Sequence, residues 1–71
     1  MTEQFKLLDV VALTEDLMDI GLAIGQVGTV LEVLAPGIYE VEFSGEDGRT
    51  YASTAVRESQ LLRLRFRPEI Q

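Results

Sequence analysis

Residues 25–43, GQVGTVLEVLAPGIYEVEF, decide the fold and predict two apolar strands joined by a tight turn. Pro36 and Gly37 mark the turn, since proline presets a negative φ and glycine accepts a positive one. A hairpin of this kind needs further strands to cover its apolar face, so we expect strands on both sides of it.

The strand after the turn alternates between apolar and acidic residues. One face carries Tyr39, Val41 and Phe43, and the other carries Glu40 and Glu42. A period of two places successive side chains on opposite faces of a strand. We therefore expect the apolar face to point inward and the two carboxylates to point outward.

The strand before the turn, residues 27–34, alternates less cleanly. Glu32 favours an inward face made by Leu31 and Val33. Val30 and Leu34, which alternation places on the opposite face, are also apolar. A β-bulge, or burial of both faces at a subunit contact, would reconcile the two patterns.

Three further strands are predicted at residues 5–13, 50–56 and 61–67. In the last of these, alternation places Leu62 and Leu64 inward. The predicted core comprises Leu8 or Val10, Val27 or Val30, Leu31 or Val33, and Tyr39, Val41, Phe43, Leu62 and Leu64.

Residues 14–24 form a long first loop. Thr14 is predicted to cap a single helical turn there, Gly21 to end it, and Leu17, Ile20 or Leu22 to tuck under the sheet. Residues 57–60, RESQ, are too short for an α-helix and predict a one-turn connector.

This order of elements resembles the SH3-like barrel: an all-β, five-stranded fold with a long first loop and a one-turn helix before the last strand. GQVGTVLEV, YEVEF, GRTYA and a closing LLRL together resemble a family of small bacterial proteins, DUF4926. The resemblance implies a single domain over residues 1–71. It implies no settled activity, although some members are small partners of larger, toxin-like proteins.

Charge is divided along the chain, whose net charge is −6. Residues 1–47 hold ten acidic and one basic residue, whereas residues 48–71 hold five arginines and two acidic residues. An acidic body repels phosphates and anionic lipid, so nucleic acid and membranes are disfavoured as partners. With no cysteine and no long apolar segment, we expect a cytoplasmic protein.

Glu15, Asp16 and Asp19 cluster in the first loop, where carboxylates could form the acidic rim of a binding groove or an ordinary polar loop. Glu40 and Glu42 could meet a basic partner, or simply be a solvated strand face.

Arg63, Arg65 and Arg67 form a basic stripe on the last predicted strand. They could contact an anion or RNA, but no aromatic residue is interleaved on their face. The other interpretation is pairing with the acidic remainder or with a second copy.

Gly25 and Gly28 lack the lysine or following helix of a phosphate-binding loop, so a structural role is favoured. The serines lack a histidine to activate them. We therefore expect no catalytic residues, no metal ligands and no cofactor.

The leading hypothesis is a non-enzymatic, acidic protein-interaction module whose partner is a larger basic protein, in an antitoxin, immunity or accessory role. A nucleic-acid-binding SH3-like module of the KOW type and a structural homo-oligomeric subunit, such as a homodimer, are the alternatives.

Overall fold

The fold is a single antiparallel sheet, seen in a computed structural model that describes residues 5–45 and 49–64. The strands are β1 (Val10–Leu13), β2 (Val27–Ala35), β3 (Ile38–Ser44), β4 (Thr50–Arg57) and β5 (Leu61–Arg63). Two short 3₁₀ turns complete the fold: the first-loop turn (Met18–Ile20) and the connector turn (Glu58–Gln60). The strand order β4-β3-β2-β1-β5 gives each strand one or two antiparallel neighbours. The predicted all-β fold of five strands, with a long first loop and a one-turn helix before the last strand, is confirmed.

The core lies on one face of the curled sheet and draws on every strand. Tyr39, Val41 and Phe43 of β3 are all buried, as their alternation predicts. The other buried members of this cluster are Phe5, Val11, Leu13, Leu22, Val30, Val56 and Leu61. In the described part of the chain, no helix is long and apolar enough to cross a membrane.

β1 is shorter than predicted because the chain turns immediately before it. The Lys6 amide donates to Asp9 Oδ2 (2.8 Å), and the Asp9 amide donates to the Lys6 carbonyl (3.1 Å). Leu8, inside this turn, has a φ of 71° and is largely exposed, so its assignment to the core is wrong. Val10 is half-buried, and Phe5 reaches the core from outside any strand.

Two β-bulges resolve the ambiguous strand. The register passes from Val30–Val41 to Glu32–Glu40, so Leu31 is an extra residue, and a second shift follows after Val33. Val30 is fully buried, whereas all of residues 31–35 are exposed. The prediction that Leu31 or Val33 belongs to the core is therefore wrong, because each bulge breaks the period of two on which it relied.

β5 faces the opposite way from the prediction. Leu61 pairs with Leu13 and is 6% exposed, whereas Leu62 pairs with Ala12 and is 55% exposed. The register with β1 sets this facing. Leu64 follows the strand and is half-buried, and Arg65 and Phe66 lie outside the described residues.

Gly28 of β2 is buried and lies directly opposite Phe43 of β3. A Cβ built there would come within 2.7 Å of Val41 Cγ1 and within 2.8 Å of the Glu42 carbonyl oxygen and of Phe43 Cδ1. Such contacts are too short for any side chain, so this position requires glycine. The structural interpretation of the glycine pair is supported at this residue.

Candidate functional site

A surface groove of about 610 Å³ runs between the first loop and β4, the terminal strand of the sheet. We call it the first-loop groove. Its lining residues come from the first loop, the start of β3, the second half of β4 and the connector turn. They are Glu15, Asp16, Leu17, Met18, Asp19, Ile20, Ile38, Thr54, Ala55, Val56, Arg57 and Gln60.

The wall made by the first loop is held by its own backbone. Leu17 and Leu22 exchange two hydrogen bonds, of 2.8 and 3.1 Å, which close the loop around the first-loop turn. Gly21 ends that turn, as predicted. Leu22 is buried and Leu17 packs against the core, whereas Ile20 stays exposed.

The connector turn anchors the base of the same loop. The Thr14 amide donates to the Gln60 carbonyl (2.9 Å), and Thr14 Oγ1 donates to the Ser59 carbonyl (3.2 Å). The prediction that Thr14 caps the helical turn is wrong, because that turn begins after Leu17 and has no side-chain cap. The Thr14 hydroxyl instead joins the first loop to the connector turn.

The three predicted loop carboxylates all line the groove, but they are engaged differently. Asp16 Oδ1 accepts a hydrogen bond from the Ile24 amide (2.8 Å), so this residue shapes the loop. Glu15 Oε2 accepts a longer bond from Gln60 Nε2 (3.4 Å). Within residues 5–45 and 49–64, the exposed Asp19 carboxylate makes neither a hydrogen bond nor an ion pair.

Apolar groups accompany this charge. Met18, at the loop tip, is 81% exposed, and Ile20 beside it is 42% exposed. Half-buried Ile38 supplies the opposite wall, and Arg57 places one positive charge at the end of β4. The groove thus combines three carboxylates and one guanidinium with flexible aliphatic side chains.

Glu40 lies beside the groove and Glu42 lies further from it. Glu40 is directly opposite Ala55, a lining residue, whereas Glu42 is two pairs further along the ladder, opposite Ser53. Each carboxylate accepts a hydrogen bond from a β4 hydroxyl: Glu40 from Ser53, and Glu42 from Thr50 (3.0 Å). Glu40 is also directly opposite Glu32 of β2, and carboxylates directly opposite each other repel.

Arg63 is remote from these acids in the sheet. It pairs with Val11 at the other edge, and its Nε lies 3.4 Å from Asp9 Oδ2. Its guanidinium carbon lies 5.3 Å from the centre of the Phe5 ring. The predicted site residues therefore fall into three separate places: the carboxylates of the first loop line the groove, Glu40 and Glu42 lie on β3, and Arg63 contacts Asp9 and Phe5. Arg65 lies outside the described residues.

Several groove residues escaped the sequence reasoning. Met18, Ile38, Arg57 and Gln60 carry no motif, and they converge only because β4 and the connector turn pack beside the first loop. The polar connector RESQ was the available signal, since a one-turn connector needs partners for its backbone. Across the described residues, no three acidic side chains are grouped so that they could hold a metal ion.

Residues 7–63, well over half of the chain, match the family described as Domain of unknown function (DUF4926). The chain belongs to this family. Membership in DUF4926 assigns no activity, and neither the curated proteins nor the solved structures contain a match. The role of the groove must therefore be argued from its own chemistry.

Proposed function

We propose that this DUF4926 protein is a non-enzymatic interaction module that binds a basic surface of a larger protein through the first-loop groove. One observation carries the proposal: three carboxylates of a single loop line the same groove as exposed Met18 and Ile20. An open groove that offers aliphatic contact and negative charge suits lysine and arginine side chains, whose stems are apolar and whose ends are cationic.

The apolar residues and the carboxylates of the groove would contribute to binding in different ways. Methionine is flexible and polarisable, so Met18 can adapt to an irregular partner surface. Carboxylates at the rim speed association with a basic partner and orient it, while adding modestly to affinity. The net charge of −6 extends the same attraction over longer distances.

A small neutralising partner, of the antitoxin, immunity or accessory kind, is the specific form that we favour. Such a protein needs a compact scaffold, a negative field and a docking groove, and it needs no reactive group of its own. The sequence contains no histidine and no cysteine, which leaves few groups suited to nucleophilic or acid–base catalysis. We place this role in the cytoplasm.

The test is capture of a partner from the native cell by tagged chains, repeated with groove variants. Glu15→Gln combined with Asp19→Asn removes two rim charges and spares Asp16, which holds the loop. We expect this double variant to lower affinity by about two- to tenfold, mainly through slower association. About 1 M NaCl, where the Debye length is about 3 Å, should release the partner from the wild-type chain.

Glu32→Gln is the control for loss of a charge outside the groove, since it removes one charge from β2, two strands away from β4. Capture should be unchanged in this variant. A partner retained equally by the wild-type chain and the double variant, or unaffected by salt, would contradict the proposal.

A homo-oligomeric subunit is the second candidate, and the outer part of β2 favours it. Leu31, Val33 and Leu34 are all between 42% and 48% exposed on one short segment. Sedimentation of the pure chain tests this candidate, because a dimer sealed by these residues should dissociate when Leu34 is replaced by Asn. RNA binding ranks lower, since Arg63 already pairs with Asp9.

A further inference from the structure

Three strand edges in the described part of the chain have no backbone partner over some of their length, and two of them are protected. β5 is only three residues long, and the outer half of β2 carries two bulges. Short edge strands and bulges are both devices that prevent a further strand from pairing. The third edge, that of β4, borders the first-loop groove.

The β4 edge lacks such protection over residues 53–56. This segment, Ser-Thr-Ala-Val, contains no charged residue and no proline, and its register with β3 is regular there. The register shift of this pair of strands lies at the other end, between Phe43 and Ser44. This part of the edge is therefore uncharged and regularly paired with β3, and its residues 54–56 line the groove.

The hydrogen-bond pattern identifies the backbone groups that this edge presents. The Glu58 amide donates to the Gly37 carbonyl (2.9 Å), which continues the β3–β4 ladder by one pair. Hydrogen-bonded and non-hydrogen-bonded pairs alternate along an antiparallel ladder. Ser53 and Ala55 thus direct their N–H and C=O groups away from β3. The Arg57 amide also points away from β3, but it already donates a hydrogen bond to Gln60 Oε1 of the connector turn (3.0 Å).

We infer that the partner segment enters the first-loop groove as an extended strand and adds to the β4 edge. This inference rests on the proposed function and specifies its binding mode. Main-chain bonds to Ser53 and Ala55 supply affinity in such strand addition, and alternate side chains supply specificity. The occupant carries lysine or arginine alternating with aliphatic residues, because the groove offers Glu15 and Asp19 together with Met18.

The test uses the complete chain and a blocked nine-residue peptide of alternating Lys and Val. Two control peptides accompany it: one N-methylated at every second residue, which blocks strand pairing but keeps the charge, and one with Glu in place of Lys. Affinity is measured by titration, and backbone protection by NMR hydrogen exchange. We expect the amides of Ser53 and Ala55 to gain protection. Loss of two main-chain bonds should weaken the methylated peptide about tenfold, and the Glu peptide should not bind.

Ala55→Pro removes one outward donor and should weaken the Lys-Val peptide several-fold. The methylated peptide keeps the inference testable if this variant does not fold. Equal binding of the methylated and unmethylated peptides, with unchanged exchange at Ser53 and Ala55, would overturn strand addition. The proposed function would survive that result if capture still depended on Asp19 and on salt.

Failure of the Lys-Val peptide to bind would also overturn the inference. The proposed function would still be tested separately by capture of the partner with the groove variants. Sedimentation of the chain alone completes the design. A dimer whose Ser53 and Ala55 amides are protected without peptide would show that a second copy occupies the edge, which contradicts the stated occupant.

Discussion

Phe5 and Tyr39 meet edge to face, with ring centroids 5.4 Å apart and ring planes at 84°. The Phe5 amide also donates a buried hydrogen bond to the Tyr39 hydroxyl (3.2 Å). One tyrosine thus provides both an aromatic contact and the partner for a buried backbone group. This pair attaches the segment before β1 to the start of β3.

Tyr39→Phe should lower the free energy of unfolding by about 1–2 kcal/mol. The ring contact persists in this variant, but the buried Phe5 amide loses its acceptor. Urea denaturation followed by circular dichroism would measure the change. A midpoint equal to that of the wild-type chain would show that this bond contributes nothing to stability.

Gly28→Ala should destabilise the fold by about 1–3 kcal/mol or more, because the new methyl group would overlap the Glu42 carbonyl oxygen and the Val41 side chain. Gly25→Ala is the matched control. Gly25 has a φ of 87° and open space around its Cβ position, so only backbone strain of about 1–2 kcal/mol is expected. Thermal unfolding of the two variants would compare them. A larger loss at Gly25 than at Gly28 would contradict the close approach of β2 to β3.

Leu61 and Leu62 are neighbours in the chain that face opposite sides of β5. Leu61→Ala should cost about 2–4 kcal/mol, because it empties part of the core, whereas Leu62→Ala should change stability by less than about 1 kcal/mol. Denaturant titration of both variants would measure the difference. A larger loss of stability for Leu62→Ala than for Leu61→Ala would indicate that Leu62 faces the core, as simple alternation predicts.

Arg63→Ala should lower stability by about 1–2 kcal/mol, since it removes both the ion pair with Asp9 and the contact with the Phe5 ring. Arg63→Lys should recover only part of this loss, because an ammonium lacks the flat guanidinium that stacks on an aromatic face. Stability at low and high salt would separate the two contributions. Full rescue by lysine would indicate that charge alone matters.

Local patterns predicted those parts of the fold that depend on local rules. The alternation of β3, the Pro36–Gly37 turn and the one-turn connector follow from side-chain period and turn chemistry. The facing of β2 did not follow, because its two bulges arise from pairing with β3. Phe5 was expected in a strand, and no pattern within its own segment could show that it would reach Tyr39.

The site was predictable in a similar, partial way. The clustering of Glu15, Asp16 and Asp19 is visible in the sequence because loop residues close in the chain stay close in space. The opposite wall, from Ile38 and β4, lies at least 19 positions away and carries no chemical signature. The engagement of Arg63 by Asp9 was likewise hidden, since it depends on β5 pairing with β1.

The bonds from Thr14 to the carbonyls of Ser59 and Gln60 have a consequence for the order of assembly. They span about two thirds of the chain, so the first-loop groove is completed only after the connector turn has been synthesised and has docked. A nascent chain that ends before residue 58 would expose the carboxylates of the first loop without the connector turn that anchors the base of this loop. Formation of the groove would then be a late event in folding, because it depends on contacts between residues that lie far apart in the chain.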